Sequence, residues 1–209
     1  MCIRDRVKAV GEIVLRISHN LIANPGTKIE DVREVYSHPQ ALGQCRRYLR
    51  DKKWKLIPVY DTAGAVWMIK GRKRAAAIAS RRSAEIYGMD ILEEGIEDYR
   101  ENYTRFLVLG NQDLPIKVGR KPYKTTILFG LKHVPGSLYR ALGEFALRGI
   151  NLTKIESRPT KNTPWEYYFF VDFEGRTGDE NVDRALAGLR SKATFIKDLG
   201  SYLSGIVVG

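Results

Sequence analysis

The order of strands and helices in the C-terminal part of the chain is compatible with few folds. Two helical patterns are interleaved with four apolar stretches of the strand type, in the order βαββαβ. The predicted strands cover 125–132, 152–158, 167–173 and 195–203, and the predicted helices cover 137–148 and 179–192. This order is the split β-α-β plan. We therefore predict a ferredoxin-like domain over residues 125–204.

The N-terminal part of the chain alternates strand-like and helix-like segments, which indicates an α/β sheet. The predicted strands cover 7–22, 34–36, 56–60, 74–79, 91–96 and 104–109, and the predicted helices cover 39–50, 62–70 and 81–87. Residues 111–124 contain Pro115, Gly119, Pro122 and four basic residues, a composition typical of a linker. We therefore predict two domains, one over 7–110 and one over 125–204.

Charge and composition restrict the classes of partner. The chain carries 35 Lys and Arg residues against 24 Asp and Glu residues, a net charge of +11 that attracts anions. Its basic residues are dispersed and lack the signatures of nucleic-acid-binding modules, so we predict no nucleic-acid partner. No apolar run approaches the roughly 18 residues of a transmembrane helix, which predicts no membrane partner. Two cysteines and three scattered histidines predict a reducing cytoplasm and no metal site.

Two strand-to-helix junctions are candidate binding sites. They are Ser37-His38-Pro39-Gln40-Ala41 and Asp61-Thr62-Ala63-Gly64-Ala65. Backbone N–H groups at such helix N-termini can hold a carboxylate or a phosphate, and open α/β sheets bind ligands at these ends of their strands. The alternative is that the polar residues only cap their own helices. Two junctions in one basic chain favour an anionic ligand.

A third candidate is the segment Asn102-Tyr103-Thr104-Arg105-Phe106. Adjacent residues of a strand face opposite sides, so one of Thr104 and Arg105 can face a ligand while the other anchors the strand. The alternative is an ordinary strand start with a surface arginine.

These segments, taken together, resemble prephenate dehydratases. Residues 35–42, 44–45, 62–65 and 102–106 match that family's catalytic motifs in order and spacing, and 149–159 resembles the ESRP segment of its regulatory ACT domain. The resemblance extends from residue 7 to the end. It implies an α/β chain in which a partial catalytic domain, two-lobed like periplasmic binding proteins, precedes a ferredoxin-like βαββαβ ACT domain.

The resemblance also has gaps. The family's Gly-Pro-x-Gly-Thr and Glu-Asn-Ser segments do not occur, and the family pattern begins at Val10-Gly11-Glu12-Ile13. We therefore expect the chain to start part-way through the catalytic domain, with residues 1–6 foreign to it. Ser137 stands where the family usually has alanine.

The implied reaction converts prephenate to phenylpyruvate with loss of water and carbon dioxide, in the biosynthesis of L-phenylalanine. By resemblance, Thr104 is the catalytic residue, and its hydroxyl hydrogen-bonds the departing ring oxygen. No cofactor or metal is expected, because aromatisation itself favours the forward step. The implied substrate-binding residues are Ser37, His38, Gln40, Thr62, Ala63, Gly64 and Arg105.

The ACT domain implies feedback regulation by L-phenylalanine and assembly into a homodimer or homotetramer through ACT domains. A turn with free N–H groups, an amide and an apolar wall would hold the amino acid. The implied effector-binding residues are Gly136, Ser137, Leu138, Asn151, Leu152, Glu156, Ser157 and Arg158.

Three other readings compete with this one. The chain can be a phenylalanine-binding module that no longer catalyses a reaction, which the absent motifs favour. It can act on arogenate, which differs from prephenate by one amino group. A nucleic-acid-binding protein has only the diffuse positive charge in its favour.

Overall fold

The computed structural model describes residues 7–111, 122–160 and 166–208. Residues 1–6 and most of the predicted linker 111–124 lie outside the described residues. The chain divides into two compact units, which are described separately. The central unit is Leu15–Thr104, and the composite unit contains the described parts of Met1–Val14 and Arg105–Val208. The domain limits 7–110 and 125–204 stay predictions.

Strands and helices alternate along most of the described chain. The strands are β1 (Lys8–Arg16), β2 (Asn20–Ala23), β3 (Glu34–Ser37), β4 (Lys55–Pro58), β5 (Ala75–Ala79), β6 (Asp90–Glu93), β7 (Tyr103–Gly110), β8 (Tyr123–Gly130), β9 (Leu152–Pro159), β10 (Tyr167–Glu174), β11 (Phe195–Leu203) and β12 (Ile206–Val208). The helices are α1 (Pro39–Gln44), α2 (Arg46–Arg50), α3 (Thr62–Met68), α4 (Arg81–Tyr87), α5 (Ser137–Ala146) and α6 (Glu180–Arg190), and Ile29–Asp31 forms a 3₁₀ turn.

The central unit is a five-stranded sheet in the order β4-β3-β5-β2-β6. β3 runs parallel to β4 and β5, whereas β2 is antiparallel to β5 and β6. Every residue of β5 is buried, as expected for a strand covered on both faces. Consecutive residues of β2 pack in separate cores on the two faces of the sheet. Leu21 packs in the core that contains Ala41 of α1, and Ile22 packs in the core that contains Val66 of α3. The predicted α/β sheet is confirmed.

The composite unit contains the predicted βαββαβ arrangement. Its four-stranded antiparallel sheet has the order β11-β8-β10-β9. Inward-facing Phe129 and Val171 pack with Phe145 of α5 and Leu189 of α6 in one core. A second sheet, in the order β12-β1-β7, belongs to the same unit.

Most element ends lie within one to three residues of the predicted ones, and three larger details differ. The single predicted strand 7–22 is two strands, because β1 and β2 pair in different sheets. The predicted helix 39–50 is interrupted at Cys45, where Asp98 accepts a hydrogen bond from Arg47 N at 2.9 Å and donates its own N–H to Gln44 O at 2.7 Å. β12 was not predicted, because its three apolar residues carry no periodicity.

Candidate functional site

The first junction lies between β3 and α1. Ser37 is fully buried, and its hydroxyl donates to the carbonyl of Ile78 on β5 at 2.7 Å. His38 caps α1, since its Nδ1 accepts from Gln40 N at 3.1 Å. Pro39 occupies the first helical position, where its missing N–H costs nothing. The local sequence therefore places Ser37 within the sheet, at the end of β3, and His38 and Gln40 just beyond that strand end.

The second junction lies between β4 and α3. Asp61 caps the helix by accepting a hydrogen bond from Gly64 N at 2.5 Å. A Cβ at residue 64 would lie 2.7 Å from Asp61 Oδ2, so the cap and the glycine depend on each other. Thr62 and Ala63 complete the first turn of α3.

The two junctions share one edge of the central sheet. β3 and β4 are adjacent and parallel, with Ser37 opposite Pro58. The helices that follow them pack in the two different cores of the sheet, which makes this edge a switch point of the kind where α/β sheets bind ligands. The structure thus places the predicted residues of both junctions at the same end of the sheet. Two of their backbone N–H groups, those of Gln40 and Gly64, already donate to the caps of their own helices.

Thr104 and Arg105 lie on β7, where the chain passes from one unit to the other. Thr104 is exposed, whereas the Arg105 side chain is 24% exposed. The Arg105 guanidinium pairs with Asp172 Oδ2 at 2.5 Å and lies 3.3 Å from Glu12 Oε2. The Arg105 charge is therefore held inside the composite unit.

Arg105 is part of a network in which two buried carboxylates face two partly buried cations. Lys124 Nζ donates to Glu12 Oε1 at 2.8 Å, and Gly205 N donates to the same oxygen at 2.7 Å. Burial raises the pKa of the Glu12 carboxyl, but these two hydrogen bonds and the charges of Lys124 and Arg105 outweigh it and lower the pKa overall. Burial lowers the pKa of Arg105, and the hydrogen bond and charge of Asp172 raise it by more.

A cavity of about 660 Å³ opens in the composite unit between α5, the start of β9 and Lys192. Leu142, Ile150 and Leu152 give it apolar walls, and Asn151 supplies an amide. Glu144 lies in its wall, and its carboxylate is paired with Lys192 and with Arg148. The cavity therefore combines an apolar surface with polar groups of both signs.

Comparison with known proteins decides the family. The family model for prephenate dehydratase matches residues 1–114, more than half of the chain. The chain belongs to the prephenate dehydratase family. The model for the ACT domain matches residues 125–191. The family and both of its modules are therefore confirmed.

Curated members of the prephenate dehydratase family match almost the whole chain. A bifunctional chorismate mutase/prephenate dehydratase of Aquifex aeolicus is 45% identical over 97% of the chain and 55% of that protein. Arogenate dehydratase 2 of Petunia hybrida is 43% identical over 98% of the chain and 56% of that protein. A prephenate dehydratase of Methanocaldococcus jannaschii is 45% identical over 94% of the chain and 71% of that protein. The chain spans about half the length of the first two.

Solved structures confirm the fold of this prephenate dehydratase family member. The prephenate dehydratase of Arthrobacter aurescens in complex with L-Phe superposes with a TM-score of 0.84 and 32% identity, over 94% of this chain and 66% of that one. GqqA, described as a novel type of quorum-quenching acylase, superposes with a TM-score of 0.85 and 33% identity, over 95% of this chain and 73% of that one.

The predicted effector residues of the ACT domain fall into three places. Asn151 and Leu152 line the cavity. Gly136, Ser137 and Leu138 form the start of α5, where Gly136 has φ +76°. Glu156, Ser157 and Arg158 lie on β9, with Glu156 paired to Lys154 and Arg158. Of these eight residues, the structure brings only Asn151 and Leu152 to the cavity.

The sequence does not predict the charge network in which Arg105 joins Glu12, Lys124 and Asp172. Asp172 carries a signal that was available: it follows a run of four aromatic residues and a valine in a predicted strand and precedes a phenylalanine. A charge in the middle of an apolar strand has to be paired if it is buried. Its partners could not be predicted from the sequence, because Arg105 and Thr126 are far from it along the chain.

Among the described residues, no group of three or more His, Cys, Asp or Glu side chains is placed to hold a metal ion. No helix in the described ranges is both long and apolar enough to cross a bilayer.

Proposed function

We propose that this protein is a prephenate dehydratase that forms phenylpyruvate and is regulated by L-phenylalanine. The observation that carries the proposal is the match to the family model over the segment that contains the two junctions and Thr104. The reaction removes a ring hydroxyl and a carboxylate from a doubly charged acid. Its transition state therefore benefits from groups that bind the carboxylates and stabilise the departing oxygen.

Thr104 is the catalytic residue of this proposal. Its side chain is exposed on β7, and a hydroxyl can donate a hydrogen bond to the departing oxygen. The substrate contacts proposed with it are the residues of the shared sheet edge, with Arg105 in support. The proposed residues of that edge are Ser37, His38, Gln40, Thr62, Ala63 and Gly64.

The ACT domain is proposed to bind L-phenylalanine in the cavity beside Asn151 and Leu152. Apolar walls suit the phenyl ring, and the amide of Asn151 and the charges of Glu144 and Lys192 suit an amino acid. Leu147 and Tyr139 at the cavity are 84% and 82% exposed. Such exposed apolar side chains support assembly through ACT domains into a homodimer or homotetramer. A cytoplasmic location stays a prediction from the cysteine content.

The decisive experiment measures phenylpyruvate release from prephenate by the purified chain, with and without L-phenylalanine. Thr104→Ala is expected to lower kcat by about 10²–10³-fold, the usual cost of removing one donor to a developing oxyanion. Thr104→Ser keeps the hydroxyl and is the matched control, expected to retain most of the turnover. Circular dichroism confirms that each variant is folded.

Turnover of Thr104→Ala at the wild-type rate would remove Thr104 from the mechanism. A folded wild-type chain that binds L-phenylalanine but releases no phenylpyruvate would instead support the alternative, a phenylalanine-binding module without catalytic activity.

Arogenate is the second candidate substrate, because a relative 43% identical over 98% of the chain is named an arogenate dehydratase. The same assay with arogenate, followed by detection of phenylalanine, decides between the substrates by the ratio of their kcat/KM values.

A further inference from the structure

We propose that the ion pair between the buried Asp172 and Arg105 positions Thr104, and that it carries to Thr104 the effect of a ligand in the cavity beside Asn151 and Leu152. This inference rests on the proposed function and deepens it by naming the route of regulation. Asp172 acts through Arg105 and is therefore a positioning residue.

Asp172 is held in one geometry by its surroundings. The residue is 1% exposed, and its two carboxylate oxygens have different partners. Oδ2 accepts from Arg105 Nη2 at 2.5 Å, and Oδ1 accepts from the hydroxyl of Thr126 on β8 at 2.7 Å. The Thr126 hydroxyl lies in turn 2.8 Å from the hydroxyl of Tyr202 on β11. A carboxylate buried this deeply is stable only while such partners remain in place, so its position is tightly coupled to theirs.

Asp172 is also adjacent in β10 to a residue that pairs with a residue of the cavity wall. The cavity residue Leu152 is the cross-strand partner of Phe173, the residue after Asp172. The β9–β10 register shifts between Asp172 and Phe173, because Thr153 of β9 has no cross-strand partner. The Thr153 hydroxyl donates instead to Asp172 O at 3.3 Å. Such irregularities in a ladder re-aim the side chains beside them. A ligand that moves Leu152 therefore acts beside this bulge in β9, directly opposite Asp172 and Phe173 of β10.

Arg105 connects this place to the proposed catalytic residue. Arg105 follows Thr104 directly on β7, and its guanidinium is held from two sides by Asp172 and Glu12. The planar fork of arginine fixes orientation as well as distance, so a shift of Asp172 rotates the backbone that carries Thr104. A misplacement of 1 Å at a catalytic group can cost about 10²-fold in rate.

Asp172→Asn tests the inference, because it removes the charge facing Arg105 and keeps an oxygen for Thr126. Glu174→Gln is the matched control, since Glu174 is an exposed acid on the same strand. We expect Asp172→Asn to lower kcat by about 10-fold or more and to leave KM unchanged, because a slightly misplaced catalytic group slows the reaction by up to about 10²-fold. We also expect it to abolish inhibition by L-phenylalanine while calorimetry still detects binding. Glu174→Gln is expected to leave all three quantities unchanged.

Hydrogen exchange gives a readout that does not depend on turnover. In the wild type, L-phenylalanine is expected to change the exchange of amides in peptides that cover β7 and β9. In Asp172→Asn the change on β9 remains and the change on β7 is lost. Thr126→Val, which removes the hydrogen bonds of the Thr126 hydroxyl to Asp172 Oδ1 and to Tyr202 and leaves the ion pair with Arg105, is expected to reduce the β7 response and serves as the test if Asp172→Asn does not fold.

The outcomes separate this inference from the proposed function. A wild type without turnover contradicts the proposed function, and the β7 exchange then decides the inference alone. An equal β7 response in the wild type and both variants overturns the inference, as does a wild type whose β7 amides do not respond to bound L-phenylalanine. A loss of thermal stability in Asp172→Asn with normal kcat and normal inhibition would reduce the ion pair to a structural role and also overturn it.

Discussion

At the scale of single residues, the buried acids of the composite unit have the largest energetic consequences. The Glu12 side chain is 1% exposed and faces two cations, Lys124 and Arg105. A buried charge that loses a partner is costly, whereas an exposed ion pair contributes little. Residues with the same formal charge therefore differ greatly in their effect on stability.

Glu12→Gln tests how much the buried Glu12 charge contributes to stability at neutral and at acidic pH. Because the folded pKa of Glu12 lies below its ordinary value of 4.5, the carboxylate stabilises the folded state fully above that value. Its contribution is lost as the pH falls through the lower folded pKa. We expect the variant to lose about 3 kcal/mol of unfolding free energy at neutral pH and much less in acid, as measured by urea denaturation followed by circular dichroism.

Glu180→Gln is the control for Glu12→Gln, because Glu180 pairs with Arg184 in an exposed position on α6. It should change stability by less than about 0.5 kcal/mol at either pH. A Glu12→Gln variant as stable as the wild type at neutral pH would show that the network contributes no net stability.

At the scale of elements, the approach of β11 to β1 depends on one glycine. Gly200 has φ +123°, and a Cβ added there would lie 2.3 Å from the carbonyl oxygen of Ala9 on β1. Both the backbone conformation and the contact exclude a side chain, and the contact is with backbone that cannot rotate away.

Gly200→Ala is therefore expected to lower the unfolding free energy by about 2 kcal/mol or more, measured by calorimetry. Gly143→Ala in α5 is the matched control in the same unit, since outside the adjoining helix backbone no atom of the described residues lies within 4 Å of the added Cβ. The control should be neutral or stabilising by up to about 1 kcal/mol, because alanine favours a helix. Equal effects of the two substitutions would contradict the proposed close approach.

The limits of the elements also show which features of the fold can be predicted from the sequence. α4 and β11 have their predicted limits, because Ser80 and Gly88 bound the helix and apolar alternation marks the strand. The interruption at Cys45 was not predictable, because it depends on Asp98, a residue distant in sequence. The binding role of the two junctions stays a prediction, but their positions at strand-to-helix boundaries were predicted because the signals for them are local. The ion pairs of Arg105 were not, because they depend on which strands meet in space.

At the scale of the whole molecule, the two units differ in what can stabilise them. The central unit has two cores on the faces of its sheet, whereas the α5–α6 side of the composite unit has a core of its own and the cavity beside Asn151. A ligand stabilises only the part of a protein whose folded state it binds. Calorimetry is therefore expected to resolve two unfolding transitions that respond differently to L-phenylalanine.

L-phenylalanine should raise the transition of the composite unit alone. At a concentration of 100 times Kd the linkage contributes about 2.7 kcal/mol, which for a unit of this size corresponds to a shift of about 10 °C. Glu12→Gln identifies which transition belongs to the composite unit, because it lowers only that one. Asn151→Ala should remove most of the ligand-induced shift, and Asn181→Ala, an exposed position on α6 outside the cavity lining, should not. Binding in the cavity beside Asn151 links L-phenylalanine to the folding of the composite unit alone. An equal shift of both transitions, or a full shift in Asn151→Ala, would therefore show that the ligand binds elsewhere.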